Sequence, residues 1–292
     1  DIFAENYIVK STVSTITQSF SSGSTIFGDS SDDTHQFTGS LHISGSRIDL
    51  DDGKDNVAIS TEGVALTTGI QNILIGRDSG DALTTGARNV AIGVSTLSAA
   101  TTATMNVAIG QSAMEGVSSG VALSGAIGIG KDALTAINST NADGTIAIGY
   151  QAGKAITSAV GNTTVGYQAG YALTTGGFNV AIGYEALETE DSGGGTVAIG
   201  YHAAKAQNGN GKNVSIGYQA SINGHEGEKN VIIGYQAGVS IGGHSWNKNV
   251  GIGHQALYSL QGGSEDNVAI GDSAGYNSTT ITGNTLLGSA AG

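Results

Sequence analysis

A five-residue string, Asn-Val-Ala-Ile-Gly, returns along this chain at a nearly fixed spacing. It stands unchanged at residues 89–93, 106–110, 179–183 and 267–271. Ten altered copies begin at Asn56, Asn72, Ala126, Thr145, Asn162, Thr196, Asn213, Asn230, Asn249 and Asn284. Neighbouring copies lie mostly 17 residues apart, with extremes of 16 and 20. A short fixed period predicts a solenoid of about 14 coils, in which each repeat packs mainly against its neighbours.

Composition supports an all-β chain and excludes several functions. Glycine occurs 48 times and proline is absent, as expected where nearly every segment pairs in a sheet or turns on glycine. A net charge of −13 with 11 basic residues argues against nucleic-acid binding. Cysteine is absent, which removes disulfides and thiolate sites, and no apolar run approaches the roughly 20 residues that span a bilayer. The chain starts at Asp1 without methionine, and we expect it to be a segment or processed product of a longer protein.

Alternate side chains of a strand point to opposite faces, which divides the repeat into two strips. The second and fourth slots are Val, Ile, Thr or Leu in every copy, and we expect them to line the interior. The third slot then faces outward, yet it is never charged, unlike a solvated strand face. We therefore predict that it packs against partner chains at an oligomer axis; the alternative is a monomer with an alanine-rich side. The predicted axis strip contains Ala58, Ala91, Ala108, Ala147, Ala181, Ala198 and Ala269.

The remaining slots predict corners and ladders. Glycine fills the fifth slot in thirteen copies and asparagine the first slot in eleven, which suits tight corners and stacked amide ladders. An alanine follows three positions after most of these glycines and is expected to be buried. Tyrosine follows the glycine in six successive copies, which predicts a ladder of stacked rings, with sugar docking as the alternative. The six are Tyr150, Tyr167, Tyr184, Tyr201, Tyr218 and Tyr235.

Two regions are expected. Residues 56–292 form the solenoid array, and residues 1–55 form a connector outside the repeat. The spacing of Val9, Val13, Ile16 and Phe20 fits a short coiled coil, whereas the Ser/Thr-rich run 11–19 fits extended β-structure.

The repeat resembles two families. Its core is similar to the left-handed parallel β-roll head of trimeric autotransporter adhesins. Run 179–186, Asn-Val-Ala-Ile-Gly-Tyr-Glu-Ala, and stretches 20–29 and 32–40 more closely resemble repeat regions of tailed-bacteriophage fibre and tail-associated proteins. The resemblance implies a left-handed β-roll, assembled as a parallel homotrimer, on a virion. It also implies that the N-terminal segment binds other tail proteins, and that a host-surface glycan or protein is the target.

Several motifs that look chemical are copies of the repeat. Residues 271–275 match Gly-x-Ser-x-Gly, and residues 128–133 and 251–256 imitate a dinucleotide fingerprint, but each occupies ordinary repeat slots. Asp49, Asp51, Asp52 and Asp55 surround Gly53, but their spacing does not match a calcium-binding EF-hand. His225 and His244, with His202 and His254 nearby, have irregular offsets that favour solvated loops over a metal site. We therefore expect no cofactor, no metal and no catalytic residue.

Three functions remain for comparison. The first is a non-catalytic phage fibre segment on the virion that reaches the host surface. The second is the head of a bacterial surface adhesin, and the third is a polysaccharide-cleaving tailspike, which needs paired carboxylates about 5–9.5 Å apart in a groove. The acids here cluster in loops without recurring pairs. Trp246, expected to be an exposed loop aromatic, and His244 beside it are the candidate glycan contacts.

Overall fold

A computed structural model describes residues 53–60, 65–209, 211–223, 227–240 and 245–292. The described residues all belong to one compact unit, Leu50–Gly292. The predicted connector, apart from its last three residues, lies outside the described residues, and so do Asp49, Asp51, Asp52, His225 and His244.

The described part is a parallel β-solenoid with one three-residue strand in each repeat. The strands are β1 Val57–Ile59, β2 Ile73–Ile75, β3 Val90–Ile92, β4 Val107–Ile109, β5 Ile127–Ile129, β6 Ile146–Ile148, β7 Thr163–Val165, β8 Val180–Ile182, β9 Val197–Ile199, β10 Val214–Ile216, β11 Val231–Ile233, β12 Val250–Ile252, β13 Val268–Ile270 and β14 Thr285–Leu287. They form one sheet in sequence order. A single 3-10 turn, Thr140–Ala142, is the helical element of the described ranges. The predicted fold class is confirmed.

Each strand pairs in parallel with the equivalent residues of the next repeat. Val180 aligns with Val197, Ala181 with Ala198 and Ile182 with Ile199, and the other twelve pairs keep the same register. At about 4.8 Å between paired strands, the fourteen strands make a sheet roughly 62 Å long. Insertions in the longer repeats fall between strands and leave this register unchanged.

The two faces of the strand are the reverse of the predicted ones. The middle residue points into the solenoid, and among the predicted axis strip Ala91, Ala108, Ala147, Ala181, Ala198 and Ala269 are all 0% exposed. Ala58, in the first strand, is the exposed exception. The Val and Ile residues on either side point outward, as Ile182 and Ile270 show at 36% and 40% exposure. The predictions of an interior Val/Ile face and a surface alanine strip are therefore wrong.

Size matching across a narrow interior explains this orientation. No coil carries two large side chains at the middle of its strand and six positions later. Ala181, for example, is followed by buried Leu187, whereas Leu74 is followed by Gly80. A Cβ at Gly80 would lie 2.7 Å from Leu74 Cδ2, so a larger residue has no room there. Interiors pack at near-crystalline density, and the small strand residues leave space for Leu and Met from the following turn.

The first-slot asparagines form the predicted amide ladder inside the solenoid. Asn72 Oδ1 accepts hydrogen bonds from the backbone N–H and the side-chain Nδ2 of Asn89, both at 3.0 Å. Asn89 Nδ2 also donates to the carbonyl of Ala103 at 2.7 Å. These asparagines are buried, so the ladder satisfies polar groups that otherwise carry a desolvation penalty.

The fifth-slot glycine is required by two independent constraints. Gly183 has φ +134°, a conformation that L side chains rarely adopt. A Cβ there would also lie 2.4 Å from the carbonyl oxygen of Gly200 in the next coil. The fifth-slot glycines therefore stack on one another, and the backbones of successive coils are in direct contact there.

Candidate functional site

An apolar face, which we call the outer face, runs along the described strands. It consists of the first and third residues of strands β1–β14, and all of these are Val, Ile, Thr or Leu. Most of these side chains are half-buried, and several are exposed. Contiguous exposed apolar area of this kind marks an interaction surface.

The predicted tyrosine ladder borders the outer face and is confirmed. Its ring centroids lie between 4.8 Å and 5.4 Å apart, with interplanar angles of 7–19°. His254 extends the ladder, because its ring stacks on Tyr235 at 5.4 Å. Each internal ring covers the faces of its neighbours, so the 39–48% exposure of the tyrosines is mainly at ring edges. The ladder is therefore arranged for stacking within the chain rather than on a sugar.

The residue after each tyrosine forms a second column, which is interrupted by charge. Gln168 Nε2 donates to Gln151 Oε1 at 2.9 Å, and Gln236 Nε2 donates to Gln219 Oε1 at the same distance. Glu185 and His202 occupy the two positions between these pairs. Glu185 Oε2 lies 2.9 Å from His202 Nε2 and also accepts a hydrogen bond from Lys205. Lys205 Nζ lies 3.1 Å from Glu188 Oε2, so one lysine connects two carboxylates.

Burial and charge shift the pKa values of this cluster in definite directions. Burial alone raises the pKa of Glu185, but hydrogen bonds from Lys205 and Tyr184 outweigh it, and the pKa is lowered from 4.5. Burial, followed by the nearby charge of Lys205, lowers the pKa of His202 from 6.5, although Glu185 opposes this. Near neutral pH the cluster is therefore a carboxylate–lysine network with a neutral histidine.

One of the two candidate glycan contacts, Trp246, is buried. Trp246 is 1% exposed and packs in the interior, where its ring lies against Gly238 beside Ile232. The prediction that it is an exposed loop aromatic is wrong, because the tryptophan ring fills space beside Gly238, which has no side chain. His244 lies outside the described residues.

The Gly-x-Ser-x-Gly match at 271–275 does not form a nucleophile site. Ser273 Oγ donates to Asp272 Oδ1 at 3.1 Å, and the other oxygen of Asp272 lies 3.1 Å from His254 Nδ1. The carboxylate thus stands between serine and histidine, whereas general-base activation requires the histidine to contact the serine. Both resemblances to a dinucleotide fingerprint, 128–133 and 251–256, cover a strand end and its following turn.

Other chemical features are few in the described ranges. They hold no group of three or more His, Cys, Asp or Glu side chains positioned for a metal ion. They also contain no helix of the length and apolar character needed to cross a bilayer.

An open groove of about 790 Å³ lies along the turns that immediately precede strands β6–β10. It crosses five successive coils, from the 3-10 turn at Thr140–Ala142 to Lys212. Its main apolar group is Phe178, which is 69% exposed. This residue was not predicted from the sequence, although a large aromatic immediately before the asparagine slot occurs in no other copy.

Searches against protein-family models, curated proteins and solved structures found no match. The structure itself defines the class of the protein: it is a parallel β-solenoid with an apolar outer face.

Proposed function

We propose that this chain is a rigid segment of a tailed-bacteriophage fibre or spike, assembled as a parallel homotrimer and used for attachment to the host surface. The observation that carries the proposal is the outer face, an uncharged Val/Ile surface that runs along all fourteen strands. Water-exposed apolar area of this extent favours association, because burial removes it from water at about 25 cal/mol per Å².

A second copy of the chain is the partner that fits this face best. The outer face repeats the same two columns at every strand, so copies aligned in parallel about a common axis meet with identical spacing along their whole length. The chain carries a net charge of −13, yet none of it lies in the two columns. The sheet therefore meets a like sheet without bringing charges together.

Three-fold assembly and the virion location rest on the resemblance to phage fibre repeats. In that role the segment is non-catalytic, and the N-terminal residues attach it to other tail proteins. The second candidate function, an adhesin head on a bacterial surface, draws on the same apolar face and the same roll. Immunogold labelling of purified virions and of bacterial cells separates the two, since label on cells alone contradicts the phage assignment.

Oligomeric state tests the central step. Analytical ultracentrifugation of the wild-type chain is expected to give three times the chain mass of 29.0 kDa. Replacing Ile182 and Ile199 together by lysine places charges on the outer face and is expected to yield monomers that keep the β circular-dichroism spectrum. The matched control replaces Ser192 and Asn208, exposed loop residues half a repeat beyond these strands, by lysine. A wild-type monomer contradicts the proposal, and equal dissociation by both double variants removes the outer face from it.

A further inference from the structure

The groove on the corner column differs from every repeating feature of the molecule. We define the corner column as the residue immediately before the first slot of each copy. All fourteen of its residues have positive φ, between 55° and 73°. Glycine occupies the position in five coils, at Gly125, Gly144, Gly161, Gly195 and Gly283. The other nine positions hold Asp, Gln, Arg, Met, Phe or Lys, so the fold imposes this conformation on every residue of the column.

Phe178 is the one aromatic residue of this column. Its φ is 59°, and a bulky side chain in this region is an outlier that costs stability. The ring does not compensate by packing in the core, since the residue is 69% exposed. The exposed ring therefore contributes little to the core and is accessible to a ligand.

The neighbouring coils leave the ring accessible. Gly161 and Gly195 occupy the corner column on either side of Phe178. A Cβ at Gly161 would lie 3.2 Å from Phe178 Cδ1, so the ring lies close against a residue without a side chain. Gly177 and Gly194 also line the groove. Phe178 is therefore an apolar platform beside bare backbone.

Polar groups surround this platform. Thr140, Asn141 and Asp143 come from residues inserted in a 19-residue repeat, and Lys212 lies at the other end. Asp143 Oδ1 accepts the backbone N–H of Ser124 at 2.8 Å, which fixes the carboxylate, and Ser139 Oγ accepts the N–H of Asn141 at 3.2 Å. The groove thus combines one aromatic face with hydroxyl, amide, carboxylate and ammonium groups.

This combination matches the chemistry of an oligosaccharide. A pyranose ring presents C–H groups on one face, which stack on an aromatic ring, and hydroxyls at its rim, which bond to Asp, Asn and Thr. The groove volume of about 790 Å³ lies within the range of ligand sites. Its extent over five coils, about 19 Å at four strand spacings, suits an elongated ligand.

A partner chain of the same sequence does not explain the groove. Contacts between parallel copies repeat in every coil, as the outer face does. Phe178, by contrast, is unique in its column, and the inserted turn 140–142 occurs once in the described ranges. A single irregular feature on a regular rod is suited to recognising a discrete ligand.

We propose that the groove around Phe178 binds an oligosaccharide of the bacterial cell surface, with Phe178 stacking on a sugar ring and Asp143 and Asn141 bonding its hydroxyls. This inference rests on the proposed attachment function and names its target class. It adds a binding site that is independent of Trp246 and His244.

The test uses the oligomeric full chain on an array of bacterial lipopolysaccharide and capsular oligosaccharides. The wild-type chain is expected to bind at least one of them. Phe178→Gly is expected to weaken that binding at least tenfold without loss of thermal stability, because glycine suits the column. The matched control, Met105→Gly, changes another exposed corner-column residue at φ 58°, outside the groove, and is expected to bind as wild type.

Each remaining outcome has a definite meaning. Absence of binding by the wild-type chain, or unchanged binding by Phe178→Gly, overturns the oligosaccharide site. A change in sedimentation of Phe178→Gly shows that the ring contacts another copy, which also overturns it. Ultracentrifugation of the same samples keeps the two proposals apart, since a wild-type trimer that binds no glycan refutes the groove site alone.

Discussion

The strand side and the loop side of each coil obey different rules. On the strand side, thirteen consecutive pairings keep the same three-residue register. On the loop side, repeats lengthen to as many as 20 residues, and the inserted turn Thr140–Ala142 and the groove occur there. The contrast teaches that regularity builds a surface suited to assembly with identical chains, whereas irregularity permits a site that occurs once.

The physical difference is how closely successive coils approach. At the fifth-slot glycines, the backbones of adjacent coils touch. A methyl group added at Gly183 would lie 2.4 Å from the carbonyl oxygen of Gly200 in the next coil. At loop positions such as Gly120, nothing lies within 4 Å of the same methyl. Changes on the strand side therefore disturb neighbouring coils, whereas loop changes remain local.

The largest expected effect follows from this difference. Gly183→Ala meets both a φ of +134° and the Gly200 backbone, and is expected to cost roughly 3–5 kcal/mol of unfolding free energy. Gly120→Ala, at φ +81° in open space, is expected to cost about 1–2 kcal/mol. Denaturant unfolding of the two variants measures the contrast. Equal costs would show that coil contact adds nothing to backbone strain.

A second experiment tests the size rule of the interior. Ala181→Leu places two large residues in one coil and is expected to cost about 1–3 kcal/mol. Adding Leu187→Gly reproduces the Leu74/Gly80 arrangement, and residue 187 already has φ 54°, which glycine accepts readily. We expect the double variant to be more stable than Ala181→Leu alone by chemical denaturation. If the two substitutions instead lower the unfolding free energy additively, the inward orientation of the middle strand residue is contradicted.

A third experiment concerns the asparagine ladder. Asn89→Ala removes the two hydrogen bonds that the Asn89 side chain donates and the two that it accepts inside the solenoid, and is expected to cost about 1–3 kcal/mol. Asn89→Thr is expected to cost less, because Thr145 Oγ1 donates to the Ala159 carbonyl at 3.1 Å in the equivalent position. The midpoints of urea unfolding rank the variants. An equal loss of stability in both variants would show that the hydrogen bond donated to the Ala103 carbonyl contributes nothing.

The smallest expected effect is a pH dependence at the charged interruption of the glutamine column. The lowered pKa of His202 stabilises the fold above its ordinary pKa of 6.5, and that stability is lost as pH falls through the folded pKa. Glu185, whose pKa is also lowered, loses its contribution at more acidic pH, below 4.5. Melting temperatures at pH 7.5 and 5.5 are expected to differ less for His202→Gln than for wild type. An unchanged difference would assign the pH dependence to other groups.

Much of the architecture was accessible from the sequence, but the surface features were not. The repeated Asn and Gly slots identified the solenoid, the amide ladder and the corners, and the tyrosine slot identified the stacked rings. Trp246 was misassigned because loop position says nothing about whether a ring turns inward beside a small neighbour such as Gly238. Phe178 was missed because its significance depends on side-chain exposure and on its neighbours in adjacent coils, which no repeat count contains.

The sequence by itself determined the period, the parallel register and the need for glycine at the corners, since these follow from repetition and backbone stereochemistry. It did not determine which side of the strand faces inward, because both strips are uncharged and strand periodicity states only that they are opposite. The tertiary structure decided this through volume. A narrow coil accommodates Ala181 from the strand together with Leu187 from the turn, and so the bulkier Val and Ile side chains face outward.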